Sequence, residues 1–175
     1  VSYRVLKLLN ILIFLGIIVC FLNIVSLTVF YFTDLSEYGL NLKIKIGAIE
    51  VFGNELDFTF DILVMVIINS LLVLCLLFFA LTIIKNLIKK QIFIEKNYKI
   101  IRNTSYILAI MSIFSNIPQN LVINEILEKQ KVLSENIDSS LSINYGFLIA
   151  AVTLFVFSFI FKEGIRIAEE NKFTV

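Results

Sequence analysis

The side chains in this sequence best placed to do chemistry are amides. Asn23, Asn69 and Asn116 each sit inside a long apolar run. Asn116 belongs to the polar stretch Ser115-Asn116-Ile117-Pro118-Gln119-Asn120, which holds the single proline among 175 residues. Amides both donate and accept hydrogen bonds and neither titrate nor attack, so the chemistry on offer is binding and packing, not bond-breaking. There is no histidine, which removes the commonest general base and metal ligand. Cys20 and Cys75 lie deep in apolar runs, at a spacing that fits no zinc or redox motif, and read as small buried thiols. The sequence shows no nucleophile–base pair, no metal-ligand cluster and no phosphate loop. The expectation is a protein that is not an enzyme and carries no cofactor or metal.

The elements that position these amides are membrane spans. Hydrophobic residues make up 59% of the chain and charged residues 17%, against roughly 25% charged in an ordinary globular domain. Mean hydropathy is +0.94. Four runs are long enough to cross a ~30 Å hydrocarbon layer: about 9–32, 60–84, 104–124 and 141–161. The first run is too long for a signal peptide and lacks a small-x-small cleavage pattern. The fold class expected is an all-α membrane protein, a four-transmembrane-helix bundle forming one integral membrane domain over residues 1–175. Eleven of the fifteen Lys and Arg residues fall before the first run, between the second and third, and after the fourth. This bias predicts that both termini and the middle loop are cytoplasmic. A net charge of +1 gives no case for nucleic-acid binding, and the lipid bilayer is the expected surrounding.

In the first outer loop, Leu40, Leu42, Ile44 and Ile46 alternate with Asn41, Lys43 and Lys45. This period of two, followed by Gly47-Ala48, predicts a small β-hairpin. The second outer loop has weak helical spacing at Ile126, Leu133 and Ile137. The inner loop lacks Gly and Pro, and reads as helical extensions of the second and third spans that meet near Gln91-Ile92.

Within the spans, Asn23, Asn69 and Asn116 come to nearly one depth, slightly outside the bilayer centre, at ~1.5 Å rise per residue. Facing inward they could hydrogen-bond one another, each bond contributing roughly 0.6–2 kcal/mol. Small residues share stripes: Gly16, Cys20 and Asn23; Ser105, Ala109, Ser112 and Asn116; Gly146, Ala150 and Thr153. Such stripes let helices approach closely. Pro118 removes an intrahelical donor and leaves the carbonyl of Phe114 without its usual partner, so a kink is expected there. The kink either packs the bundle or opens a polar site through Asn116, Gln119 and Asn120.

Two cytoplasmic stretches carry a resemblance. One is "IFIEKNYKIIRNTSYILAI", with Phe93, Asn97 and Arg102; the other is the tail "EGIRIAEENKFTV", with Glu169, Glu170, Asn171, Thr174 and Val175. In these motifs, span count and length, the chain resembles the domain of unknown function 2975 family, the YoaS-like small four-span bacterial membrane proteins. It departs from them where a glycine often precedes the phenylalanine; here the run is Lys89-Lys90-Gln91-Ile92-Phe93. The resemblance implies fold and location in the bacterial cytoplasmic membrane, and implies no activity. Phe93, Asn97, Lys99, Arg102, Glu169, Glu170 and Asn171 form a candidate cytoplasmic interaction surface, within which Lys99 and Arg102 could pair with Glu169 or Glu170. Two function classes follow. The first is a regulatory, sensory or accessory protein acting through protein partners in the membrane or cytoplasm. The second is a small transporter, channel or immunity-type protein with a cavity at the outer half of the third span.

Overall fold

The computed structural model describes residues 3–33, 43–46, 49–52, 59–129 and 143–172. Its elements run α1 (Tyr3–Phe32), β1 (Lys43–Ile46), β2 (Ile49–Phe52), α2 (Phe60–Ile88), α3 (Glu95–Phe114), α4 (Ile117–Lys129) and α5 (Tyr145–Lys172). Four helical stretches are long and apolar enough to cross a membrane: Tyr3–Phe32, Phe60–Ile88, Glu95–Glu125 and Tyr145–Asn171. The third is α3 and α4 together, interrupted at Ser115-Asn116. Each spans about 40 Å or more at 1.5 Å per residue, longer than the hydrocarbon core.

The helices outrun the hydropathy boundaries at the ends bearing Arg4, Lys85, Lys99 and Arg166, because backbone hydrogen bonding does not stop where apolar composition does. Asp61 in the first turn of α2, Lys85 in its last turn and Glu95 in the first turn of α3 match side-chain charge to the helix dipole. The fourth span starts at Tyr145, later than expected. Asn144 caps it, its Oδ1 accepting the Phe147 N–H at 3.3 Å.

The strands pair antiparallel, Lys43 opposite Phe52 and Ile46 opposite Ile49, and β1 lies beside α4. The Gly47-Ala48 turn, residues 130–142 of the second loop and the final Thr174-Val175 lie outside the described residues.

Helix packing is pairwise. α1 packs on α2, and α3 packs on α5 over the most extensive contact; α2 joins the pairs through α3 and α4. α1 makes no comparable contact with α3, α4 or α5. It buries none of its residues against the protein and is apolar all round, as befits a helix facing lipid.

The α3–α5 contact rests on small residues. Ser105 and Ser112 on α3 meet a helix whose buried positions are Ala151, Ser158 and Ile165, seven residues apart. The Gly146–Ala150–Thr153 stripe expected on α5 is therefore displaced by one position: Gly146 and Thr153 are exposed. The spacing was legible, but a one-residue phase shift rotates a helix face by about 100°. The buried hydroxyls are satisfied within their own helices. Ser105 donates to the Arg102 carbonyl (2.6 Å), Ser112 to Ala109 (2.7 Å) and Ser158 to Phe155 (2.6 Å). A serine can thus sit at a helix contact in lipid without needing a partner across it.

Candidate functional site

The break in the third span is repaired from other helices. Pro118 has no N–H, so the carbonyl of Phe114 loses its usual donor. The amide Nδ2 of Asn69, on α2, donates to that carbonyl at 3.0 Å. The backbone N–H of Asn144, leading into α5, donates to the Ser112 carbonyl at 2.7 Å. Below the break Ser115 N–H still donates to Met111, and above it Asn120 N–H donates to Asn116. An interruption of the helix inside a bilayer survives only where other groups satisfy the freed carbonyls, and here α2 and the start of α5 do so.

Beside this join lies a slot of about 420 Å³ between the two helix pairs. α1 contributes Gly16, Val19, Cys20, Asn23 and Leu27; α2 contributes Val66, Asn69, Ser70, Val73 and Leu77. Both sets follow i, i+3, i+4, i+7, i+11, one face of each helix. The helices run antiparallel, with Gly16 against Leu77. The opposite wall is Met111, Ser115, Pro118, Gln119 and Phe147. No lining side chain is charged. Eleven residues of helix make the slot about 16 Å tall.

Polar groups lie along its middle. The Sγ–H of Cys20 points to the Ser70 carbonyl at 3.5 Å. Asn69 Oδ1 and Ser115 Oγ are buried and make no hydrogen bond to protein. The amide orientation of Asn69 is fixed chemically, since a carbonyl only accepts and Nδ2 must face Phe114. Its Oδ1 is therefore an acceptor without a protein partner, on a residue that lines the slot.

Of the amides read from sequence, Asn23, Asn69 and Gln119 line the slot together with Pro118; Asn116 and Asn120 belong to the break but not to the lining. The expected hydrogen bonding of Asn69 within an asparagine layer is corrected: its nitrogen serves the backbone of Phe114. Gly16 and Cys20, read as packing, also face the slot, while Ser70 and Ser115 were missed. Ser70 follows Asn69 directly, and their shared helix face was the available signal.

The motif at the α2–α3 turn folds into the interior. Asn97 is 1% exposed. Its Nδ2 donates to the Gln91 (2.9 Å) and Ile92 (2.8 Å) carbonyls, and its Oδ1 accepts from Asn86 Nδ2 (2.6 Å). Asn97 therefore ties the α2–α3 turn and is not surface, correcting its place in the proposed interaction patch. Within the turn Lys90 adopts φ 60°, the left-handed conformation that favours glycine.

Phe93 lies across α5, its ring 5.3 Å from that of Phe161. A Cβ on Gly164 would meet Phe93 Cε1 at 2.9 Å. Gly164→Ala is expected to destabilise by about 0.5–1 kcal/mol while Phe93 is present, and to stabilise by a similar amount in Phe93→Ala, where helix propensity alone remains. Thermal unfolding of the four combinations in mild detergent checks the change of sign.

Lys99 pairs with Glu95 of its own helix at 3.8 Å, and Arg102 donates to the Tyr98 hydroxyl at 3.1 Å. Glu170 accepts from Arg166 at 2.7 Å, and Arg166 also pairs with Glu163. The clasp of Lys99 or Arg102 onto Glu169 or Glu170 does not form. Phe93 lies against Gly164 and Ser112 against Asn144, so Lys99 stands level with α5 about eleven residues, roughly 17 Å, short of Glu169. Arg102 lies over the Tyr98 ring at 5.2 Å from its centroid, and Lys162 of α5 lies over the same ring at 5.8 Å. Glu169 lines a groove with Glu95, Lys162 and Arg166, and Asn171 ends the described span on an exposed turn.

Comparison with known proteins places these features in a family. The family described as "Protein of unknown function (DUF2975)" matches residues 41–175, which include the α2–α3 turn, the proline break and α5. Searches of curated proteins and of solved structures returned no match. With more than half of its length matched, the chain belongs to the DUF2975 family of proteins of unknown function.

Proposed function

We propose that this is a non-enzymatic sensory or regulatory protein of the cytoplasmic membrane, with the slot as its input and the inner ends of α3 and α5 as the surface offered to a protein partner. The observation that carries this reading is an uncharged slot, between two separately packed helix pairs, with buried polar atoms left unpaired. The lysine and arginine bias supports cytoplasmic termini and α2–α3 turn, which puts the β1–β2 hairpin outside.

A carrier or channel is less well supported. Ion-coupled carriers usually hold charged residues at the membrane interior, and none lines the slot. Toward the α2–α3 turn, Leu81 and Asn86 on α2 and Tyr98, Ile100 and Ser105 on α3 are buried, so the described residues at that end are packed together.

The test uses single cysteines in a Cys20→Ala, Cys75→Ala background. Gln119→Cys, in the slot wall, is expected to react with N-ethylmaleimide in membranes, and Ser105→Cys, in the α3–α5 contact, to resist it. Equal protection of both positions would remove the slot as an input.

A further inference from the structure

We infer that the slot takes an uncharged, single-chain amphiphile carrying a hydroxyl, of the long-chain alcohol type, drawn from the bilayer. This rests on the reading of the slot as an input, and adds the chemistry and source of what enters. Three observations converge on it.

The first is access. At the end toward α4 the protein is packed, with Ile62 and Leu63 of α2 and Val122 of α4 buried. At the other end lie the buried Leu81 and Asn86. The side of the slot away from α2 is different, because α1 makes no extensive contact with α3, α4 or α5. The opening therefore faces the hydrocarbon, and a molecule entering there is one already dissolved in lipid.

The second is shape and charge. The slot runs about 16 Å along one face of α1 and one face of α2, a shape that suits an extended chain lying along the two helices. The walls above and below the middle are apolar: Leu27, Val66 and Phe147 on one side, Val19, Val73 and Leu77 on the other. With no cation in the lining, a carboxylate or phosphate would be buried without a counter-charge, which costs far more than burying a neutral group. A carboxylate therefore has no place here.

The third is the hydrogen-bond demand. Asn69 Oδ1 can only accept, since its Nδ2 is held by the Phe114 carbonyl. Ser115, the next residue along from Phe114, has a buried hydroxyl that can donate or accept. A hydroxyl satisfies both at once: it donates to Asn69 Oδ1 and accepts from Ser115. An ether of the same length does only the second, and an alkane does neither.

The experiment uses the full chain in phosphatidylcholine vesicles and a diazirine-bearing hexadecanol, with its methyl ether as control. The alcohol is expected to label slot residues of α1 and α2, and the ether several-fold less. Unlabelled hexadecanol should compete and palmitate at neutral pH should not. Ser115→Ala removes no bond within the protein and should lower labelling about fivefold, the worth of one hydrogen bond. Val73→Phe fills the slot beside Asn69 and should abolish it. Equal labelling by alcohol and ether, unchanged by Ser115→Ala but lost in Val73→Phe, overturns the hydroxyl chemistry and leaves the slot as an input. Labelling spread along the lipid face of α1 and indifferent to Val73→Phe overturns both.

Discussion

Asn69→Leu is expected to lower stability by about 1–2 kcal/mol with Pro118 in place, and by less than about 0.5 kcal/mol once Pro118→Ala is present. The asymmetry follows from who serves the Phe114 carbonyl. In the native chain residue 118 has no N–H, and Asn69 Nδ2 donates instead at 3.0 Å. Removing the amide leaves a carbonyl unpaired in a bilayer, where water does not readily replace it. Alanine at 118 returns the intrahelical donor, and the amide of Asn69 becomes dispensable. The double-mutant cycle therefore has a coupling of about 1 kcal/mol, above the average of interhelical hydrogen bonds in membranes because the alternative is an orphaned backbone group. Reversible unfolding in detergent–lipid mixtures measures it. Equal costs of Asn69→Leu in both backgrounds would mean that the helix break is held by packing alone, with the Asn144–Ser112 bond as its remaining polar tie.

That pair of residues also shows what could be read beforehand. Long apolar runs name membrane helices because a backbone in hydrocarbon must satisfy itself, so span number followed from composition. The orphaned carbonyl at Phe114 followed from Pro118 by covalent chemistry alone. Its partner did not, because which amide reaches it depends on how α2 is rotated about its own axis. The same rotational freedom explains the shifted stripe on α5, where Ala151, Ser158 and Ile165 are buried in place of Gly146 and Thr153. Apolar residues on every face give no periodicity from which to take a phase; α1 is the extreme, with no residue buried at all. Polar residues at the helix ends mislead in the opposite sense. Asn97 looks like surface by type and is interior by structure, since a turn between two helices leaves several carbonyls to satisfy.

Asn97→Leu is expected to have the largest effect of any single change, about 3 kcal/mol or more, often with loss of folded protein. The native side chain donates twice and accepts once, to Gln91, Ile92 and Asn86, at 1% exposure. Leucine is close in size, so the loss is polar: two turn carbonyls and one amide are stranded together. Asn86→Leu should cost much less, about 1 kcal/mol, because Asn97 keeps both of its donations. Asn97→Asp separates the roles. It retains the acceptor for Asn86 but presents oxygen to the Gln91 and Ile92 carbonyls, and should be no better than leucine. Expression and thermal unfolding of the three variants give the order, and an Asn97→Leu cost under about 1 kcal/mol would mean that the turn is held elsewhere. The consequence reaches the slot. α2 joins the α1 side of the molecule to α3, and the Asn86–Asn97 bond is its tie at the inner end. Loosening that tie lets one helix pair swing against the other about the Asn69–Phe114 bond. In the milder Asn86→Leu variant, reaction of Gln119→Cys with maleimide should therefore rise, although residue 86 lies outside the slot wall. Such coupling is the physical requirement for an input at the slot to be felt at the α2–α3 turn.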